Sequence, residues 1–252
     1  MIPNIVHFCF GFSKDFGKKG FSFVHYLAVR TAHEVNRPER INFFYKYEPS
    51  GEWWEKSKPL LNLIQIEPPQ EIFGKPLRHF AHQSDVVRLE ALLKHGGIYL
   101  DMDVLCLKPL KPLMEYDFVM GIQDKGGRYH GLCNAVILSK PDALLLKLWY
   151  EKFRSFRSKG RDRFWDEHAV KAPTRLAREH PDAIHIEGER SFFWPPWREP
   201  DRLWRNSGED FSQSFCIHLW ETLWWDKYLK KLSPEYLKKS DSTFARLFRH
   251  LV

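Results

Sequence analysis

The sequence predicts a single α/β domain with a mixed central sheet, and three observations lead there. Short apolar runs rich in β-branched and aromatic residues alternate with longer stretches of helical periodicity. That alternation is regular over residues 1–110 and loosens into a tryptophan-rich second half, with basic amphipathic helices at the end. The length of 252 residues, with 43% apolar and 28% charged side chains, suits one cooperative core that needs neither disulfide nor metal to hold it.

The elements follow in order. Ile2 to Phe10 reads as a first strand, Phe21 to Asn36 as a helix, and Ile41 to Tyr47 as a second strand. A short helical piece is expected around Trp53, then a strand at Leu63 to Glu67 that Pro68 and Pro69 stop. Gln83 to His95 has helical periodicity with Val86, Leu89 and Leu93 on one stripe, and Gly96-Gly97 ends it. Gly97 to Leu107 reads as one strand that enters apolar and turns acidic midway. Further strands are expected at Phe118 to Ile122, Cys133 to Leu138, Ala183 to Glu187 and Phe215 to Trp220, with helices at Asp142 to Phe156, His168 to His180 and from Pro234 onward.

Composition bounds the ligand. Thirty-nine Lys and Arg against 32 Asp and Glu leave a net charge of +7 and a pI near 9.1, which favours polyanionic partners such as phosphates, nucleotides, nucleic acid or acidic lipid. Cys9, Cys106, Cys133 and Cys216 lie far apart without a C-x-x-C pair, the usage expected of reduced thiols in a cytosol. The opening MIPNIVHFCFGF lacks the basic residue of a secretory signal, and no apolar run approaches the roughly 20 residues needed to span a bilayer. A cytoplasmic protein is expected, with the lysines at 227, 230, 231, 238 and 239 offering either a solvated helix face or a peripheral contact with anionic membrane.

Chemistry concentrates at Asp101-Met102-Asp103, two carboxylates at i and i+2 where an apolar strand leaves the sheet. Ligands of open α/β sheets bind off the carboxyl ends of strands. On a regular strand the two acids share a face and repel, and a hard divalent cation bridging to phosphate oxygens relieves the repulsion. With 14 Asp in the chain one D-x-D arises by chance, so its surroundings matter. The pair Asp85 and Arg88 lies three residues apart on the helix feeding this strand, as a surface ion pair or as part of the same site.

The stretch from Ser84 to Asp103 is similar to the pattern S-D-x-x-R-x-x-x-L-x-x-x-G-G-x-Y-x-D-x-D, matched at Ser84, Asp85, Arg88, Leu92, Gly96, Gly97, Tyr99, Asp101 and Asp103. The chain thereby resembles DXD-motif glycosyltransferases of the GT-A fold, of the family-thirty-two type. That group includes fungal initiating α-1,6-mannosyltransferases, α-1,4-galactosyltransferases and, more distantly, clostridial glucosylating toxins. IPNIVHFCFG looks like the family's first strand, with Phe10 where Trp is common, and HLWETLWW looks like its H-x-W-x-x-S-W element, with Thr222-Leu223 replacing the serine region. GLCNAVILSKP is similar to the strand beside the donor sugar, and Ala172-Pro173 stands where Gly-Pro is usual.

The resemblance implies roles by position. Asp103 binds Mn²⁺ or Mg²⁺, Asp101 contacts the metal or the donor's ribose and sugar, and His218 completes the ligand set. Asp85 and Arg88 hold donor hydroxyls, Phe10 stacks on the base, and Tyr99 and Asn134 line the sugar pocket. It implies a Rossmann-like nucleotide-sugar-binding half (residues 1–110) and an acceptor-facing half (111–252). The reaction implied is retaining hexosyl transfer from a UDP- or GDP-sugar, UDP-hexose being preferred, to a saccharide or lipid-linked saccharide in glycan synthesis. Asp166 and Glu167 are candidate nucleophiles or solvated helix-start charges. Trp53, Trp54, Phe192, Phe193, Trp194, Trp197, Trp224 and Trp225 are expected in an acceptor groove or the core.

Two other readings account for parts of the chain. A haloacid-dehalogenase-like phosphohydrolase would use Asp101 as nucleophile and Asp103 as acid/base, but its motif belongs near the start of a domain and needs a downstream acidic pair. A non-enzymatic binder of single-stranded nucleic acid explains the charge and the tryptophans and leaves the acidic strand without a purpose, so no nucleic acid is expected.

Overall fold

A computed structural model describes residues 1–124, 129–206 and 208–252. Eleven strands are described: β1 (Ile5–Cys9), β2 (Arg40–Tyr45), β3 (Asn62–Gln65), the two-residue pair β4 (Glu71–Ile72) and β5 (Lys75–Pro76), β6 (Gly97–Leu100), β7 (Val104–Cys106), β8 (Phe118–Asp124), β9 (Tyr129–Ser139), β10 (His185–Glu187) and β11 (Cys216–His218). The α-helices are α1 (Phe23–Asn36), α2 (Glu52–Ser57), α3 (Phe80–His95), α4 (Leu144–Lys152), α5 (Ala172–Glu179), α6 (Glu189–Phe192), α7 (Asp201–Trp204), α8 (Glu221–Trp224), α9 (Pro234–Lys239) and α10 (Thr243–Phe248).

Seven strands form the main sheet in the order β10-β8-β9-β6-β1-β2-β3. β3, β2, β1 and β6 run parallel, β9 is antiparallel to both its neighbours, and β10 is parallel to β8. The mixed sheet agrees with the fold class read from the sequence. Central strands buried on both faces are apolar except for the paired His7 and Asn42, as coverage by helices on each side demands. Alternation then assigns each residue its layer. Val6, Phe8, Ile98 and Leu100 pack with Leu27 and Ala28 of α1, while Cys9, Tyr99 and Ile137 pack with Val86, Leu89 and Leu92 of α3 and Leu145 of α4. Leu92 joins Val86 and Leu89 in the buried stripe, and Leu93 is only half-buried.

The turn from α3 into β6 depends on Gly96 and Gly97, both at positive φ (60° and 107°). A Cβ on Gly97 would sit 2.3 Å from the Ile5 carbonyl oxygen, so only glycine lets β6 close against β1 here. His7 lies beneath this turn. Its Nε2 is 2.7 Å from the Gly96 carbonyl and its Nδ1 3.2 Å from the Asn42 amide nitrogen, an arrangement satisfied by neutral imidazole donating from Nε2 and accepting at Nδ1.

Two expectations are corrected and a third is decided. The strand expected from Gly97 to Leu107 breaks at Asp101–Asp103, where Val104 N donates to Asp101 O at 3.0 Å. Residues past the break form β7, which leaves the main sheet to pair with β11 in a separate antiparallel ribbon. The helix expected over His168 to His180 begins as a π turn (Glu167–Lys171) before α5. Of the two places open to the aromatic clusters, acceptor groove or core, most take the core: Trp54, Phe192, Phe193, Trp194 and Trp224 are all buried. Large rings contribute most when fully removed from water, and the second half uses them in place of regular βα layers.

Candidate active site at the end of the central strand

β6 ends at Leu100 in the middle of the sheet, and the acidic turn follows at once. Tyr99 faces the α3 layer, and Asp101, two residues on, receives the Tyr99 hydroxyl at Oδ1 (2.8 Å). Arg88 of α3 reaches the same oxygen from Nη1 (3.1 Å) and lies over the Tyr99 ring at 4.3 Å. Asp103, on the far side of the turn, meets the other end of the chain. His218 Nε2 is 3.2 Å from its Oδ1, the Glu221 backbone N–H donates to its Oδ2 at 2.6 Å, and Leu219 N–H donates to its carbonyl at 2.9 Å. The two carboxylates are therefore presented by a turn, not by a shared strand face.

Behind them lies a buried polar chain. Asp85 Oδ1 accepts from Asn134 Nδ2 (2.7 Å) and faces Arg88 Nη2 (3.4 Å), while Oδ2 faces His82 Nδ1 (3.4 Å). Arg88 Nη1 also donates to the Asn134 carbonyl at 2.7 Å. A bulge brings that carbonyl into reach: between Met120 and Gly121 of β8 the partner register jumps from Ile137 to Cys133 of β9, and Asn134 falls in the excess. Asp85 and Asn134 are thus spent on Arg88 and on each other, one layer behind the cleft wall that Arg88 and Tyr99 help line.

The charges are pushed apart. Burial raises the Asp101 carboxyl above the usual carboxylate range, Asp103 beside it adds to the rise, and Arg88 opposes it. Burial acts on Asp103 in the same direction, but the His218 imidazole and the Glu221 N–H outweigh it and hold Asp103 low. Burial would lower His218, yet the Asp103 and Asp101 carboxylates outweigh it and hold the imidazole above its ordinary value.

The cleft over this floor has a volume of about 780 Å³. Its wall includes Phe10, Lys18, Lys19 and Arg161 besides Arg88 and Tyr99, and Trp220 and Glu221 close the side next to His218. Phe10 is half-buried, tilted against His25 at 4.7 Å and edge-on to Phe21 at 5.5 Å. Asp166 pairs with Lys171 at 2.7 Å and Glu167 with Arg157 at 2.6 Å, and neither borders the cleft, so they are helix-start charges. Linear reading missed the Glu221 N–H, although it follows the HLW run directly. It also missed His82, whose Nε2 meets Ser158 Oγ at 2.9 Å; a histidine three residues before Asp85 was the available signal.

The donor set fits a hard or borderline divalent cation. Asp101, Asp103 and His218 each offer one ligand atom, all within 4.8 Å of one another. His218 Nδ1 is buried with no hydrogen-bond partner among the described residues, so protein groups alone do not satisfy this ring. Asp101, by contrast, is clamped by Tyr99 and Arg88, which suits an immobile ligand better than a free nucleophile for phosphate ester hydrolysis.

Comparisons with known proteins show the family to which the chain is similar. Residues 20–119 match a family described as the glycosyltransferase sugar-binding region containing a DXD motif. The chain is 36% identical over 265 aligned residues to glucan organizing enzyme 1 of Cryptococcus neoformans var. grubii, covering 100% of this chain and 71% of that protein. It is 29% identical over 145 residues to glycosyltransferase L373 of Acanthamoeba polyphaga mimivirus, covering 56% of this chain and 51% of that one, so it spans about half that relative's length. Among solved structures, galactosyltransferase LgtC, in complex with donor and acceptor sugar analogues, aligns with a TM-score of 0.49 and 15% identity over 96% of this chain and 94% of that one.

Proposed function

The chain belongs to the glycosyltransferases with a DXD-containing sugar-binding region, and from that premise we propose that it transfers a hexose from a nucleoside-diphosphate sugar to a saccharide acceptor with a divalent cation. The observation that carries this reading is the meeting of Asp101, Asp103 and His218 within 4.8 Å on the floor of a cleft large enough for a nucleotide sugar. When bound there, Mn²⁺ or Mg²⁺ supplies positive charge that favours the diphosphate more as it departs than before.

The chain's own residues do the rest. Tyr99 and Arg88 fix Asp101, and Glu221 N–H fixes Asp103, so the acidic pair needs little reorganisation. Arg88 stays charged, because Asp101 and Asp85 more than offset its burial. Arg88, Lys18, Lys19 and Arg161 offer cationic groups to a diphosphate, against four carboxylates on the same cleft whose charge a bound cation would offset. Phe10, which also lines the cleft, is read as the ring against which the base packs.

Among the described residues the carboxylates on the cleft are Asp15, Asp101, Asp103 and Glu221. Asp15 accepts from Ser13 and Gly17, and Glu221 holds His25 and Lys19. With none free to attack carbon, this reading has no covalent glycosyl-enzyme, and the retention that the resemblance implies then runs without one. The acceptor hydroxyl attacks from the leaving-group side, the anomeric C–O bond to diphosphate breaks, and the hydroxyl proton passes to a diphosphate oxygen. A screen of UDP- and GDP-hexoses for Mn²⁺-dependent thermal stabilisation and slow donor hydrolysis tests the proposal. Stabilisation by no nucleotide sugar, with or without metal, would refute it.

A further inference from the structure

Cys106 and Cys216 lie far apart in sequence, which hides a relationship that the β7–β11 ribbon makes plain. They are register partners, and their sulfurs are 3.9 Å apart. The ladder's hydrogen bonds fix the kind of pair. Leu107 N donates to Phe215 O and Leu219 N to Asp103 O, so hydrogen-bonded positions alternate and Cys106–Cys216 falls on a non-hydrogen-bonded position. The Cys106 N–H accordingly points away from β11, to Thr31 Oγ1 at 3.1 Å. Non-hydrogen-bonded pairs bring Cα atoms to about 4.5 Å, inside the range of about 4.4–6.8 Å that disulfides span. Closing the sulfurs from contact to a bond length of about 2.05 Å asks for side-chain rotation and a small strand approach. The two-stranded ribbon, outside the seven-stranded sheet, can accommodate it.

We propose that Cys106 and Cys216 are a disulfide-forming pair that locks the ribbon carrying Asp103 and His218. Asp103 immediately precedes β7, and His218 lies two residues beyond Cys216 on the same face of β11, opposite Val104. The bond therefore fixes the register that brings imidazole and carboxylate together. Two thiols join, giving two protons and two electrons to a low-molecular-weight disulfide such as oxidised glutathione, which splits into two thiols. Both sulfurs are buried in the finished fold, where burial holds the Cys216 thiol well above its usual range, so the exchange occurs while the chain folds. Cys9 and Cys133 have no such partner among the described residues.

The full chain, denatured and reduced, is refolded in a mixture of reduced and oxidised glutathione and, in parallel, in excess dithiothreitol. The glutathione sample should lose about 2 Da in intact mass, and its peptide map should join the Cys106 and Cys216 peptides. Closing a loop of 110 positions should raise its melting temperature by roughly 10 °C over the reduced sample. Cys216→Ala should remove both the mass loss and the redox dependence of melting. Four free thiols after refolding, a bond to Cys9 or Cys133, or a cross-link that leaves melting unchanged would overturn the proposal, and the wild-type mass result stands even if Cys216→Ala does not fold.

Discussion

The backbone N–H of Glu221 donates to Asp103 Oδ2 at 2.6 Å, across 118 positions of sequence. With His218 Nε2 on the other oxygen, Asp103 is a carboxylate whose charge is recognised on both sides. Asp103→Asn keeps the volume but removes the charge, and its amide nitrogen cannot accept from Glu221 or His218. Metal-dependent donor hydrolysis or transfer should fall at least about 100-fold, with Mn²⁺-induced thermal stabilisation lost. Wild-type turnover in a folded Asn variant would remove Asp103 from the chemistry.

His218→Ala takes one of the three candidate ligand groups and leaves both acids. The Mn²⁺ concentration for half-maximal activity should rise about 10- to 100-fold, while saturating metal restores much of the rate. A titration that superimposes on wild type would show that the imidazole only packs against Trp220, whose ring lies 4.2 Å away.

Arg88→Met removes the cation that Asp85 and Asp101 share inside the α3 layer. Asp85, its oxygens buried, would be left with Asn134 and His82 alone. Breaking one side of such a buried network costs about 3–5 kcal/mol, so urea unfolding should shift by that amount. A shift below about 1 kcal/mol would mean that water reaches these carboxylates freely.

His7 gives the fold an acid limit. Burial holds its pKa down from 6.5 to about 4, so the unfolded chain takes up a proton through this window before the folded chain does. There is no penalty above about pH 6.5; destabilisation grows as pH falls toward 4 and then levels off, at roughly 3 kcal/mol in all. His7→Gln should flatten this part of the pH dependence of unfolding. Identical slopes for the two proteins between pH 6.5 and 4 would refute it.

Much of the fold was legible because it is written locally. The apolar runs of β1 and β2, the stripe of Val86 and Leu89, and the Gly96-Gly97 stop each report on the backbone of their own segment. The same local logic placed Asp85, Arg88, Tyr99 and Asp101 along one helix and the strand it feeds, and the structure brings them together. The resemblance implies that Asp85 holds donor hydroxyls and that Asn134 lines the sugar pocket, and the structure has both hydrogen-bonded to each other, with Arg88 on each.

By itself, then, the sequence determined an α/β chain with an apolar strand that turns acidic and a basic residue poised on the preceding helix. The tertiary structure decided the break at Asp101–Asp103, the bulge that aims the Asn134 carbonyl, the arrival of His218 and Glu221 beside Asp103, and the burial of most tryptophans. The reason is physical. Periodicity encodes which face of an element is buried, whereas strand order and ribbon pairing arise from contacts between distant segments, whose free energy depends on how they pack together and not on any one stretch of residues.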